Sequence, residues 1–166
     1  AVRARAFIDC SEPCKATSFD RFRERFSSAG LRAEALQVCY AMAETVFAVT
    51  QTEPSRTVRR LELDGARLAE LGEAHPSPGN GPALLSAGRA LPGMKVLILD
   101  PQGDELPAGR VGEIALESDY LFDGYYRRPD LTRRKLRDGR YLSGDLGFVH
   151  EGELYVLARG DGRWRD

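Results

Sequence analysis

The sequence predicts an α+β fold: a short α/β segment of strand, helix and strand, followed by a mostly antiparallel, barrel-like β subdomain. Three observations carry this reading. Phe19, Phe22 and Phe26 recur at helical spacing between two short apolar runs, 5–10 and 36–40. Residues 51–82 then turn polar and turn-rich, with Pro54, Pro76, Pro78 and Pro82. From 83 onward short apolar runs alternate with glycine and proline turns.

The elements follow in order. Residues 5–10 read as a short buried strand, ended by Ser11-Glu12-Pro13. Thr17 or Ser18 can cap a helix whose phenylalanine stripe faces the core, with Arg21, Arg23, Glu24 and Arg25 on the solvated side. Gly30 stops that helix. Residues 36–40 form a second strand, 41–45 a turn, and 46–50 continue as strand. Two short strands do not make a stable α/β layer, so this segment calls for further strands beside it. The polar stretch holds one strand-like piece, 57–63, and one helix-like piece, 64–71. Strands are expected at 83–86, 94–100, 111–118, 141–149 and 154–157. Asp100-Pro101 and Gly103-Asp104 supply the turn of a hairpin over 100–114. Pro129 opens a short helix reaching 136. Four stretches result: 1–51, the α/β part; 52–83, an insertion-like excursion; 84–157, the β subdomain; and 158–166, a closing hinge.

Composition narrows the function classes. The 166 residues carry 24 basic and 25 acidic side chains, for a net charge of -1. That balance gives no general attraction to nucleic acid or to an anionic membrane. No apolar run approaches the roughly 20 residues of a membrane span. The first residues lack the apolar region of a leader. Three cysteines, Cys10, Cys14 and Cys39, and two histidines, His75 and His150, do not fit a zinc pattern. A reducing, cytoplasmic setting with buried thiols is the expectation.

Four islands carry possible chemistry. "DCSEP", 9–13, ends a strand, where α/β sheets bind ligands; the bland reading is a strand-to-loop turn. "CYAMAET", 39–45, offers Tyr40 as a flat face, small Ala41 and Ala43, and the Glu44 carboxylate for a cation; the alternative is a core tyrosine and a surface glutamate. Ser143-Gly144-Asp145 interrupts an apolar run. An ionised carboxylate only accepts hydrogen bonds, and vicinal ribose hydroxyls suit it, although Asp145 could instead serve its own turn. Arg159 precedes the turn Gly160-Asp161-Gly162, and could reach a ribose or phosphate or lie solvated.

Taken together, these islands resemble the motifs of the adenylate-forming superfamily, which includes acyl-CoA synthetases, adenylation domains and luciferase-like enzymes. "CYAMAE" resembles its Tyr-Gly-x-Thr/Ala-Glu motif, and "DGYYRRPDLT" its Gly-Tyr-Tyr/Trp-x-x-Pro-x-x-Thr run. "YLSGDLGFVHEGELYV" resembles the Tyr-x-Thr/Ser-Gly-Asp motif and "ARGDGRWRD" the hinge. Within the superfamily the likeness is nearest to fatty acyl-AMP ligases, through Ala43 and the excursion over 52–83. In that subgroup the extra segment restrains a mobile C-terminal domain and disfavours CoA thioesters.

The resemblance implies a chain covering the latter part of the large N-terminal domain, without the family's phosphate loop or its C-terminal domain, and inactive alone. It implies ATP and Mg2+ as cofactors, a fatty acid as substrate and an acyl-carrier protein as partner. Ser11, Glu12, Pro13, Tyr40 and Ala41 would line the adenine and acyl sides. Asp145 and Arg159 would hold the ribose, Glu44 would be the catalytic, metal-holding acid, and Asp161 the hinge pivot. Ala41 stands where the family has Gly, Asp9-Cys10 where Asn-Gly is expected, and Ala158 in place of the hinge Gly. The rival readings are an acyl-CoA synthetase, an amino-acid adenylation domain and a non-catalytic interaction module.

Overall fold

The apolar runs do become strands, and their order sets two unlike halves. A computed structural model describes residues 4–11, 14–79 and 81–159. The first half holds β1 (Phe7–Asp9), α1 (Ala16–Phe26), β2 (Leu36–Ala41) and β3 (Ala48–Gln51). Then come β4 (Arg60–Glu62), α2 (Gly65–Leu71), β5 (Ala83–Leu85) and β6 (Arg89–Ala90). The second half holds β7 (Lys95–Leu99), β8 (Gly112–Glu117), α3 (Pro129–Lys135), β9 (Leu136–Arg137), β10 (Arg140–His150) and β11 (Glu153–Arg159). The architecture is α+β, with strands predominating.

Among the described residues only one strand pair is parallel. β1 runs alongside β2, with Phe7 opposite Leu36, and α1 makes the crossover between them. β3 and β6 extend this sheet antiparallel, in the order β1-β2-β3-β6. A second, wholly antiparallel sheet runs β11-β10-β8-β7, with β9 paired to β10. β7 and β8 form the expected hairpin, and Asp100 Oδ1 accepts from the Gln102 and Asp104 N–H groups in its turn. The excursion folds as α2 between β4 and β5, which pair with each other. Asp64 caps α2 by accepting from Arg67 N at 3.1 Å.

One core cluster joins the two large sheets through Val49, Met94, Ile114, Leu116, Tyr141 and Leu154. Another pins the excursion to the second sheet, with Leu63, Leu68 and Ala74 packed on Phe148 and Tyr155. The two rings stack with centroids 5.1 Å apart. Among the described residues no helix is long and apolar enough to cross a membrane.

Several local expectations need correction. β1 is not buried: Phe7 is 37% and Ile8 51% exposed, because β1 is an edge strand with a neighbour on one side only. The phenylalanine stripe is only partly core. Phe19 and Phe22 pack on Leu31, Ala35 and Leu36, while Phe26 stays exposed. The cap position of α1 is Lys15, with no side-chain cap, because buried Ala16 already begins the helix. Gly30 does end the helical stretch, at φ +83. α3 stops at Lys135, and Leu136 moves into β9, a two-residue strand that no apolar run signals; β6 is another. Of the thiols only Cys39 is buried; Cys10 and Cys14 are half-buried.

The interruption expected at Ser143-Gly144-Asp145 is a bulge within an unbroken β10. The ladder with β8 passes from Leu142 opposite Ala115 to Leu146 opposite Glu113, so β10 holds extra residues. Gly144 absorbs them at φ +81. Side chains replace the lost ladder bonds. Ser143 Oγ donates to Ile114 O at 2.7 Å and accepts from Asp145 N at 3.0 Å. Gly144 N donates to Glu113 Oε1 at 2.9 Å.

Candidate functional site

The parallel strand β2 delivers its last residues to a cavity, and the bulge in β10 meets them from the other sheet. Tyr40 and Ala41 end β2, and the chain then tightens into a 3₁₀ turn at Ala43–Thr45. Thr45 Oγ1 donates within this turn, and Val46 leaves it at φ +68. The turn sends Glu44 toward the second half of the molecule. There Phe122 N donates to Glu44 O at 2.9 Å, and Tyr125 Oη donates to Glu44 Oε1 at 2.6 Å. Tyr125 is held in turn by Thr132, whose Oγ1 accepts from Tyr125 N at 2.9 Å. The Tyr125 and Tyr141 hydroxyls lie 3.2 Å apart.

Across the cavity, Tyr40 Oη donates to Asp145 Oδ2 at 2.5 Å. This is a charge-assisted bond of the short O–H to carboxylate kind. The space these groups enclose is about 620 Å³, lined by Ser11, Cys14, Tyr40, Ala41, Glu44, Ser143 and Asp145 among others. Val38, Leu84, Leu85, Val156 and Leu157 give it apolar walls. A mostly apolar cleft with a few convergent polar groups is the usual form of a small-molecule site.

Electrostatics mark the same place. The Tyr141 phenol is pushed well above its ordinary range, first by burial, then by its bond with Tyr125 and by the Glu44 charge. The Cys14 thiol is pushed up to about 12, chiefly by burial and then by Asp9. Among the described residues no three His, Cys, Asp or Glu side chains cluster as a metal site.

Ser11, Tyr40, Ala41, Glu44 and Asp145, singled out in the sequence, therefore share one cavity. Ser11 reaches it from the end of the β1 segment, at φ +73. The backbone of Arg159 stands opposite Asp145 at the end of β11. Its side chain, and all of Glu12, Pro13 and Asp161, lie outside the described residues. Sequence reasoning missed Tyr125 and Tyr141. Gly124-Tyr125-Tyr126 belonged to a quoted run, but nothing local says that Tyr125 meets a residue 81 positions earlier.

Comparison with known proteins bears on this arrangement. A 4-hydroxyphenylalkanoate adenylyltransferase from Mycobacterium marinum is 34% identical over 164 residues, covering 90% of this chain and 26% of the relative. The medium-chain-fatty-acid acyl-carrier-protein ligase TtuA from Teredinibacter turnerae is 31% identical over 169 residues, again covering 90% of this chain and 26% of the relative. The chain thus spans about a quarter of the length of these relatives. Among solved structures, the fatty acyl-adenylate ligase of L. pneumophila in complex with acyl adenylate and pyrophosphate superposes with a TM-score of 0.86 at 28% identity, covering 93% of this chain and 29% of that one. The family model described as AMP-binding enzyme matches residues 2–126, and the chain belongs to that family.

Proposed function

We propose that this chain forms the nucleotide-facing part of an ATP-dependent ligase that activates a fatty acid as acyl-AMP and passes the acyl group to an acyl-carrier protein. The single observation that carries the reading is the convergence of Ser11, Tyr40, Glu44 and Asp145, from distant parts of the sequence, on one cavity of nucleotide size. The similarity to a fatty-acid ligase that acts on a carrier protein, and to a fatty acyl-adenylate ligase, supports the choice of substrate and acceptor.

In this reading a carboxylate oxygen of the acid attacks the α-phosphorus of ATP. A P–O bond forms, the bond to the pyrophosphate oxygen breaks, and pyrophosphate leaves. A carrier thiol then attacks the acyl carbonyl and AMP departs. The protein contributes positioning and charge placement. Tyr40 presents its ring to the base, with Ser11, Glu12, Pro13 and Ala41 beside it. Asp145 and Arg159 take the ribose, and Asp161 serves as the pivot of a hinge over 158–166.

Glu44 is the residue that would hold Mg2+. The donor set fits: Glu44 lines the cavity as a carboxylate, and a cation bound mainly by phosphate oxygens and water takes only one or two carboxylates from the protein. When bound, Mg2+ neutralises phosphate charge. The excursion over 52–83 packs on Phe148, Tyr155 and Leu157, beside the strand that leads to the hinge. That contact favours its role as a restraint on a following domain, and hence a carrier protein over CoA as acceptor.

ATP–pyrophosphate exchange by the full-length ligase tests this. Fatty-acid-dependent exchange, lost in Asp145→Ala and absent from the isolated 166 residues, is the expected result. Exchange driven by amino acids, or none at all with intact AMP binding, overturns it. Supplying CoA and a holo carrier protein side by side decides the acceptor.

A further inference from the structure

Charge in this chain is nearly balanced overall but not locally. Residues 127–140 carry seven cations against two acids, in a chain of net charge -1. Asp130 binds Arg128 and Arg134, and Glu117 binds Arg140. Arg127, Arg133, Lys135 and Arg137 have no acidic partner among the described residues. Three of these, Arg127, Arg133 and Arg137, are exposed on and around α3 and β9. An open groove of about 420 Å³ runs between Arg127, Arg128, Arg133 and Thr132.

Beside the groove stands Tyr126, 84% exposed, with the Arg127 guanidinium 5.1 Å from its ring centre. An aromatic ring of this size left in water next to arginines has the composition of a protein–protein hot spot. Its neighbour in sequence, Tyr125, reaches the other way and binds Glu44 inside the cavity. Surface and cavity therefore share one short segment, 124–126.

We propose that α3, β9 and Tyr126 form the docking surface for an acidic protein partner, the carrier that receives the acyl group; this rests on the activation reading above. Protein is favoured over nucleic acid for two reasons. Asp130 and Asp138 interrupt the basic surface, and the chain as a whole offers a polyanion no long-range attraction. A folded partner with an acidic face meets the arginines locally and covers Tyr126, which brings its acyl-accepting arm to the edge of the cavity.

The test uses the full-length ligase and a phosphopantetheine-bearing acyl-carrier protein. Arg127→Glu, Arg133→Glu and Arg137→Glu are combined in one variant, and Tyr126→Ala is made separately. Three readouts are compared: ATP–pyrophosphate exchange without carrier, KM for the carrier in acyl transfer, and direct carrier binding at low and high salt. The expected result is unchanged exchange, with carrier KM and Kd raised about tenfold or more in the triple variant. Salt should weaken the unaltered protein and barely affect the variant. Unchanged carrier binding in both variants, with exchange intact, overturns the surface while leaving acid activation standing. Loss of carrier binding in a protein that shows no exchange leaves the surface standing and overturns the activation reading. Preferential binding of a 20-base-pair DNA or of phosphatidylserine vesicles through these arginines assigns the surface to another class of partner and overturns the proposal.

Discussion

The Tyr40 hydroxyl donates to Asp145 Oδ2 at 2.5 Å, joining residues 105 positions apart and the two large sheets of the molecule. Tyr40 lies at the end of β2 and Asp145 just past the positive-φ glycine of the β10 bulge. Neither strand alone makes a site. The bulge aims a carboxylate into the space that β2 leaves open, and the phenol fixes its orientation.

Removing that hydroxyl separates orientation from charge. Tyr40→Phe keeps the ring and deletes one donor to a carboxylate, a bond with a net worth of about 1.5–3 kcal/mol. That bond orients the carboxylate for the ribose hydroxyls, so part of its worth is lost from AMP binding with it. AMP affinity of the full-length ligase should therefore fall roughly tenfold, about 1.4 kcal/mol. Asp145→Ala removes the acceptor itself and should cost at least tenfold more. Calorimetric titration with AMP measures both; an Asp145→Ala affinity equal to that of the unaltered ligase would show that the ribose does not depend on Asp145.

Tyr125 makes a second, independent handle on the site. Its hydroxyl holds Glu44 at 2.6 Å, within a pair of phenols that includes Tyr141. Tyr125→Phe should let the Glu44 carboxylate swing, raising the Mg2+ concentration for half-maximal exchange by roughly three- to tenfold, the equivalent of about 1 kcal/mol. AMP binding without metal should stay unchanged. A shift in AMP binding with no change in Mg2+ dependence would place Tyr125 with the base pocket instead.

Much of this was legible in the sequence because it depends on local rules. Helical spacing of phenylalanines, turn residues at Asp100-Pro101 and the glycine before Asp145 each act over a few positions. The family-like motifs then pointed to Ser11, Tyr40, Ala41, Glu44 and Asp145, which the fold brings to one cavity. What sequence could not give was how those islands meet. The Tyr125–Glu44 bond and the Tyr40–Asp145 bond cross between sheets, and no periodicity encodes such a distance. The exposure of Phe7 and Ile8 was missed for a related reason: burial depends on which neighbours a strand has, not on how apolar it is. β6 and β9 are too short for any periodic signal, and form because β3 offers an open edge and the first residues of β10 extend past the end of β11.

Gly88 and Gly30 provide a matched test of what holds the fold. Both sit at positive φ, +88 and +83. A Cβ at Gly30 would meet nothing within 4 Å, so Gly30→Ala should cost only the left-handed backbone penalty, about 1–2 kcal/mol. At Gly88 the same atom would lie 2.0 Å from the Gln51 carbonyl and 2.2 Å from Thr52 N, backbone that β3 fixes. Gly88→Ala should therefore cost more than about 4 kcal/mol or prevent folding, because nothing there can yield cheaply. Urea unfolding of the two variants checks the ranking, and the reverse order would mean that β3 moves freely.

Cys14 reports on the cavity through its pH dependence. Its thiol is raised from 9.0 to about 12 by burial, then by Asp9, so folding favours the protonated form. The corresponding stabilisation is fully present below pH 9.0 and is lost as the pH rises through about 12. Only the thiolate reacts with iodoacetamide. At pH 8 a shift of this size leaves about a thousandfold fewer thiolates than in an unperturbed cysteine, so labelling at Cys14 should be correspondingly slow. Unfolding in urea should restore the ordinary rate. Because Cys14 lines the same cavity as Tyr40 and Asp145, AMP should slow labelling further in the folded full-length ligase. Peptide mass spectrometry after timed labelling follows this one site. Rapid modification of Cys14 at pH 8 in the folded protein, indifferent to AMP, would show a solvent-open thiol outside the nucleotide cleft.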